Sequence, residues 1–150
     1  MQKNIEIRMA TVDDLPAIER AGNQLFDHQI KKNRAVEFFN DVRHHLALAF
    51  HKDEAVGMAS GFHYVHPDKD PALFVNEVGV MEAYQNQGIG RKLVMYLCEH
   101  VRKIGCTEAW VGTEESNIAA RKAYLAAGGT PDSEPFILFE FNLRKSNLKS

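Results

Sequence analysis

Apolar residues recur along this chain at two spacings, and the change from one to the other marks out the elements. Ile5, Ile7 and Met9 alternate with polar neighbours, which predicts a short strand. Thr11 and Asp14, three residues apart, form a capping-box pattern, and Leu15, Ile18, Gly22 and Leu25 follow at helical spacing. A second helix is expected over residues 35–43, with Phe39 and Val42 turned inward. Leu46, Leu48 and Phe50 then alternate, Lys52-Asp53-Glu54 makes a turn, and residues 56–65 return as the second arm of a hairpin. On that arm Gly57, Ala59 and Gly61 share one face, a small-residue stripe that lets another element approach closely.

Pro67 and Pro71 bracket a charged loop at residues 66–70, and residues 73–80 read as a further strand. Residues 88–104 give the clearest helix: Ile89, Leu93, Val94, Leu97, Val101 and Ile104 form its apolar set, and Gly105 stops it. A strand at 108–113, a helix at 116–127 and a last strand at 136–143 complete the order β-α-α-β-β-β-α-β-α-β. Three central strands in succession imply an α/β, layered α+β fold. Its sheet is expected to be mixed and largely antiparallel, with six to seven strands flanked by helices. No linker, repeat or low-complexity stretch divides residues 1–150, so one domain with one core is expected.

Composition narrows the function classes. With 45% hydrophobic and 25% charged residues the chain reads as soluble and globular, and no apolar run approaches the roughly 20 residues of a membrane span. A formal net charge of −2 argues against nucleic acid or an anionic membrane as a partner. The N-terminal residues lack the apolar core of a signal peptide, and Cys98 and Cys106 have neither paired nor metal-type spacing. Both features suit a reducing, cytoplasmic setting, with the two thiols as small apolar packing groups. His63, His66, Asp68 and Asp70 are not completed into a metal site by any other cluster, so no metal is expected.

The chemistry concentrates where the strand at 73–80 meets the long helix. Val78, Gly79 and Val80 lead into Gln85, Asn86, Gln87, Gly88, Ile89, Gly90 and Arg91. A strand followed by a glycine-rich turn at a helix start presents unpaired backbone N–H groups and the positive end of the helix dipole. Glycines at 88 and 90 remove side chains that would block a bulky anion, while Arg91 and Lys92 add positive charge, so the turn suits a pyrophosphate. A dinucleotide fingerprint would need a third glycine where Leu93 stands, and a P-loop would need Gly-Lys-Ser/Thr. A glycine turn that only caps the helix fits the same residues.

The pattern Gln85-x-x-Gly88-x-Gly90, preceded by Val78-x-Val80, resembles the acyl-CoA signature of the GNAT superfamily of N-acyltransferases. The order of elements resembles that fold over nearly the whole chain. The resemblance implies an enzyme that moves an acetyl group from acetyl-CoA to a primary amine by direct attack. It implies that residues 85–91 hold the coenzyme pyrophosphate and that the backbone of Val78, Gly79 and Val80 pairs with pantetheine. It further implies that Asn117 contacts pantetheine and that Tyr124, seven residues on and on the same helix face, protonates the leaving thiolate.

An alkyl ammonium with a pKa of about 10.4 must lose a proton before it can attack, at a cost of roughly 4–5 kcal/mol at pH 7. Glu77 is the candidate base: it precedes Val78, and alternation puts it on the face opposite Val78 and Val80. A solvated or ion-paired strand glutamate is the plainer reading. His63 and Tyr64, beside the charged loop, are candidates for the acceptor wall. Among GNAT branches the chain is most similar to aminoglycoside 3-N-acetyltransferases, through Leu25-Phe26, Leu46-Ala47-Leu48-Ala49, Val56-Gly57, Tyr64-Val65 and Phe139-Glu140-Phe141. That branch favours aspartate where this chain has Glu77. A small-molecule amine such as an aminoglycoside is therefore the first acceptor class. A polyamine, a protein amino group, or a non-catalytic acyl-CoA-sensing role are the alternatives. An unpaired edge at the strand 136–143 leaves room for a homodimer, and the polar tail from Arg144 onward is expected to fray.

Overall fold

A computed structural model describes residues 4–144. Five strands form one sheet in chain order: β1 (Ile5–Met9), β2 (His44–His51), β3 (Glu54–His66), β4 (Lys69–Val80) and β5 (Glu108–Trp110). The first four are antiparallel, and β5 joins β4 in parallel, so the sheet is mixed and largely antiparallel. Its helices are α1 (Leu15–Ala21), α2 (Lys32–Asn40), α3 (Ile89–Ile104) and α4 (Ile118–Ala126). No helix among the described residues is long and apolar enough to cross a membrane.

The capping box forms as the sequence indicates. Asp14 accepts from the Thr11 backbone N–H at 2.8 Å and is held by Arg8 at 2.6 and 2.8 Å. The first helix is shorter than expected, because Gly22 turns the chain out at Ala21 with φ of +46°. The long helix α3 buries Ile89, Leu93, Val94, Leu97 and Val101. Leu93 and Leu97 are wholly enclosed, each worth roughly 1.5–3 kcal/mol of apolar burial. Ile104, placed in the same apolar set, is exposed, because α3 ends at Gly105 in the left-handed region. The small stripe on β3 serves α3 directly: a Cβ at Gly57 would lie 3.1 Å from Leu93 Cδ1 and 3.2 Å from Ile89 Cγ2.

Several boundaries differ from the sequence reading. The helix expected over 35–43 runs three residues earlier, and Val42 is 83% exposed instead of inward. Asp41 causes the break: its backbone is extended, and its carboxylate accepts from the Arg43 backbone N–H at 3.0 Å and pairs with the Arg43 guanidinium. His44 and His45 lie in β2, with His45 buried. The charged loop contracts to a turn at Pro67 and Asp68, because β3 and β4 pair as far as His66 and Lys69.

The sheet has five strands among the described residues, not six to seven. The expected last strand, 136–143, joins no ladder among the described residues, and its large apolar side chains are exposed. The tail expected to fray lies, beyond Arg144, outside the described residues.

Candidate active site

The end of β4 is shaped by a bulge. Ser60 pairs with Glu77 but Gly61 pairs with Val75, so Asn76 is an extra residue and the strand bends there. On its other side β4 has a partner only over Ala72–Phe74, matched to Glu108–Trp110 of β5. Beyond Phe74 and Trp110 the parallel pairing ends. The edge of β4 from Val75 to Val80 has no strand neighbour on that side among the described residues. The result is a wedge with an unpaired strand edge along one wall, the Val80 carbonyl apart, which an extended amide-bearing ligand can pair with.

The predicted anion turn closes the mouth of this wedge. Gly88 caps α3 with φ of +78°, and Asn86 is also left-handed at +63°. Successive left-handed turns of this kind gather backbone N–H groups into an anion-binding concavity at the positive end of a 16-residue helix. Two features hold the turn against the strand, and a third folds a guanidinium over the turn itself. The Gln85 side-chain amide donates to the Val80 carbonyl at 3.0 Å. A Cβ at Gly90 would lie 3.9 Å from side-chain carbons of both Val78 and Val80. The Arg91 guanidinium comes within 3.9 Å of where a Cβ of Gly88 would be, so it folds back over the turn. Gln85, Asn86, Gln87, Gly88 and Arg91 are exposed while Ile89 is buried as the anchor. These residues fit a pyrophosphate: glycine-opened backbone, helix dipole and one guanidinium.

Glu77 is half-buried on β4. Burial pushes its carboxyl above the usual range; the negative Asp27 and a hydrogen bond between the two carboxyls add to the rise, and His28 opposes it. Asp27 and His28 belong to the chain between α1 and α2. That segment crosses β4 closely, since a Cβ at Gly79 would meet the Leu25 carbonyl oxygen at 3.2 Å. Glu77 and Gly79 share a strand face, so Asp27 reaches Glu77 over the same surface. The sequence reading missed Asp27 and His28. Their signal was no more than an acid and an imidazole after an apolar helix end, and nothing local aims such a segment at residue 77.

Tyr124 on α4 is half-buried, and burial holds its hydroxyl pKa above the ordinary value. The helix it sits on packs on α3 and is started by Asn117, whose side-chain oxygen accepts from the Ala120 N–H at 3.1 Å. The Asn117 carbonyl is thus occupied in capping the helix that carries Tyr124.

His63 and Tyr64 are not brought to Glu77. They pair with Leu73 and Ala72, so His63 lies three register steps from Glu77, roughly 10 Å along the strand. His63 Nδ1 is 2.8 Å from His45 Nε2, and the Tyr64 hydroxyl accepts from the Trp110 indole N–H at 2.8 Å. Both thiols are raised above their usual pKa by burial, which disfavours a cysteine nucleophile. Polar depressions elsewhere, one beside Arg8 and Asp14 and one around His66 to Asp70, lie apart from the wedge.

Comparison with known proteins agrees with this architecture. The model of the acetyltransferase (GNAT) family matches residues 10–128. An aminoglycoside acetyltransferase from an uncultured soil metagenomic sample, solved with sisomicin, superposes with a TM-score of 0.81 at 19% identity, covering 93% of this chain and 96% of that one. Aminoglycoside N-acetyltransferase AAC(6')-Iy, solved with CoA, gives 0.77 at 19% identity over 94% of this chain and 97% of its own. Glucosamine-6-phosphate N-acetyltransferase from Arabidopsis thaliana gives 0.73 at 16% identity, covering 91% and 98%. At these identities the likeness is one of fold. Among curated sequences, mycothiol acetyltransferase of Saccharopolyspora erythraea is 38% identical over 66 residues, which is 43% of this chain and 21% of that protein. A strand bulged four residues before its end, a wedge beside it and an anion turn at its mouth thus stand within a family match that spans most of the chain, and the chain belongs to the acetyltransferase (GNAT) family.

Proposed function

We propose that the protein is an acetyl-CoA-dependent N-acetyltransferase acting on a primary amine of a small molecule. The observation that carries this reading is the Gln85–Val80 contact, which fixes an anion turn at the end of a strand whose edge is open. In this reading the backbone around Gly88 and Gly90 and the Arg91 guanidinium hold the pyrophosphate, and the free edge of Val78, Gly79 and Val80 aligns pantetheine. A backbone N–H of that edge stabilises the thioester oxygen as charge develops.

Glu77 takes the proton of the acceptor ammonium, directly or through water, and its raised pKa brings it nearer the operating range of a base. The amine nitrogen attacks the acetyl carbonyl carbon, the carbon–sulfur bond breaks, and Tyr124 gives its proton to the departing thiolate. Burial keeps that hydroxyl protonated at neutral pH. Asp27 and His28 join Glu77 on an acceptor side suited to a cation, the sequence having offered His63, Tyr64 and Glu77 for that side.

The acceptor class with most support is an aminoglycoside. Two neighbours of closely similar fold are aminoglycoside acetyltransferases, one of them solved with sisomicin. The 3-N position follows only from the sequence resemblance, while one neighbour carries a 6' designation. Antibiotic resistance and a cytoplasmic site of action belong to the same proposal. The chain is also read as one half of a homodimer, on the strength of its exposed C-terminal segment.

The test is thiol release from acetyl-CoA across aminoglycosides, polyamines and lysine peptides. Release with one aminoglycoside class supports the reading, and release only with a polyamine or peptide moves the acceptor. Tight acetyl-CoA binding without release from any amine would make the protein a sensor.

A further inference from the structure

Glu77 shares its sheet face with a row of aromatic rings. Ser60 lies opposite Glu77, and Ser60, Phe62 and Tyr64 alternate onto that face of β3. Phe62 is opposite Phe74 and Phe74 opposite Trp110, with ring centroids 5.6 and 4.4 Å apart. The other face is the one α3 covers, since Gly57 approaches Leu93 and Val78 approaches Gly90. The face of Glu77 belongs to the segment between α1 and α2, which brings Asp27 to Glu77 and leaves Phe62 and Trp110 37% and 43% exposed. The indole is held in place: its N–H donates to the Tyr64 hydroxyl at 2.8 Å, and the Phe74 ring packs against it. Exposed rings fixed side by side form a shelf, unlike the scattered surface apolars that need no explanation.

Carboxylates flank the shelf at both ends. Phe62 lies two residues from Ser60, so the row of rings crosses the sheet roughly 7 Å from the level of Glu77. Two residues further along, Tyr64 is opposite Ala72 and Ala72 opposite Glu108, which puts Glu108 about 14 Å from Glu77 with the rings between them. There Tyr64, Asp70, Ala72 and Glu108 line an open depression. Asp68 beside it is engaged by His66 and Lys69, whereas no ion pair among the described residues engages Asp70 or Glu108.

We propose that this shelf is the far half of the acceptor site and that it selects a multi-ring polycationic amine. Resting on the acetyltransferase reading, the assignment commits to an aminoglycoside as the occupant. Its reacting nitrogen stands at Glu77, the C–H face of a neighbouring ring lies on Phe62, Phe74 and Trp110, and a second ammonium reaches Glu108. An ammonium passing over the indole face gains cation–π attraction as well. The occupant is the acceptor and not a protein, because the shelf continues the face that carries Glu77 and has carboxylates at both ends. A single-ring amine held at Glu77 falls short of Glu108. Trp110 and Glu108 therefore govern the KM of long acceptors and leave the acetyl transfer step unchanged.

Steady-state kinetics with kanamycin test this, alongside the emission of Trp110, the chain's single tryptophan. Trp110→Ala is expected to raise the kanamycin KM about tenfold, with kcat and the acetyl-CoA Kd within about twofold of wild type. Trp110→Phe should recover most of that loss. Glu108→Gln should raise the KM about three- to tenfold at low salt and less at high salt. An unchanged KM in both Trp110→Ala and Glu108→Gln would overturn the proposal, and so would a phenylalanine variant as impaired as the alanine one. Thiol release with a linear polyamine but no aminoglycoside would overturn the named occupant. If no amine releases thiol, the acetyltransferase reading fails on its own, and binding without acetyl-CoA decides the shelf. Kanamycin should then shift Trp110 emission, at a higher midpoint in Glu108→Gln, while single-ring 2-deoxystreptamine leaves it unchanged; no shift with kanamycin, or the same shift with both, would overturn it.

Discussion

Gln85 donates its side-chain amide to the Val80 carbonyl across 3.0 Å, tying the anion turn to the end of the strand it must work with. A neutral hydrogen bond of this kind contributes about 0.5–1.5 kcal/mol. Gln85→Ala is therefore expected to weaken acetyl-CoA binding roughly two- to tenfold, by calorimetric titration, with little change in thermal midpoint. Unchanged affinity would separate the turn from the coenzyme.

Glu77 provides a prediction in which activity and stability move differently. The folded state raises its pKa, so ionising it costs stability as pH rises through the raised value. Glu77→Gln removes that cost and should melt no earlier than wild type at pH 7. It should lose roughly 10²–10⁴ in turnover and also lose the acidic limb of the pH–rate profile. A retained limb would assign the base elsewhere.

Asp27 tests the cause of the shift. The rate should fall as pH drops through the raised Glu77 pKa, because only the ionised form accepts a proton. Asp27→Asn removes a negative neighbour, so the limb should move to lower pH, part of the way only, since burial remains the larger cause. A limb that stays in place would mean that Asp27 does not act on the reacting base.

Tyr124→Phe should cut turnover by about 10²-fold or more while the acetyl-CoA dissociation constant stays within about twofold. The hydroxyl's pKa is raised by burial, so it should produce no basic limb below about pH 10. Wild-type turnover in the variant would remove its acid role.

Much of this arrangement was legible in the sequence, for physical reasons. The long helix declared itself through apolar positions at 89, 93, 94, 97 and 101 between two glycines, because both its burial and its ends are local matters. The Gln85–Gly90 turn was legible because left-handed backbone at a helix start demands particular residues. The stripe Gly57, Ala59 and Gly61 was read as a close-approach face, and Gly61 gives the severest case. A Cβ there would meet the Phe74 carbonyl oxygen at 2.5 Å. Gly61→Ala should accordingly cost about 1–3 kcal/mol and lower the melting temperature by several degrees.

What sequence could not supply was set by distant parts of the fold. Asp27 meets Glu77 only because the Leu25 carbonyl rests on Gly79. His45 is buried because β2 begins two residues before its apolar run, where alternation still looks polar. The alternation at 136–143 reads as a strand, yet that segment joins no ladder among the described residues.

His45 carries a consequence of its own. Burial, and next the neighbouring His63, lower its pKa to about 4. The unfolded chain takes up that proton near pH 6.5, so its contribution to stability is complete above that value and is lost as pH falls toward 4. Urea midpoints should drop between pH 6.5 and 4.5, and His45→Gln should flatten the drop. An identical pH dependence in both proteins would assign it to other groups.

The most direct test of the whole account is calorimetric titration of acetyl-CoA into the wild-type protein and into Gly88→Val, whose branched side chain cannot hold φ of +78° without strain. One site per chain in the wild type, and binding weakened at least tenfold in a folded variant, is the predicted result. No binding to the wild type, or equal binding to both, would contradict the assignment of the Gln85–Arg91 turn on which the proposed chemistry rests.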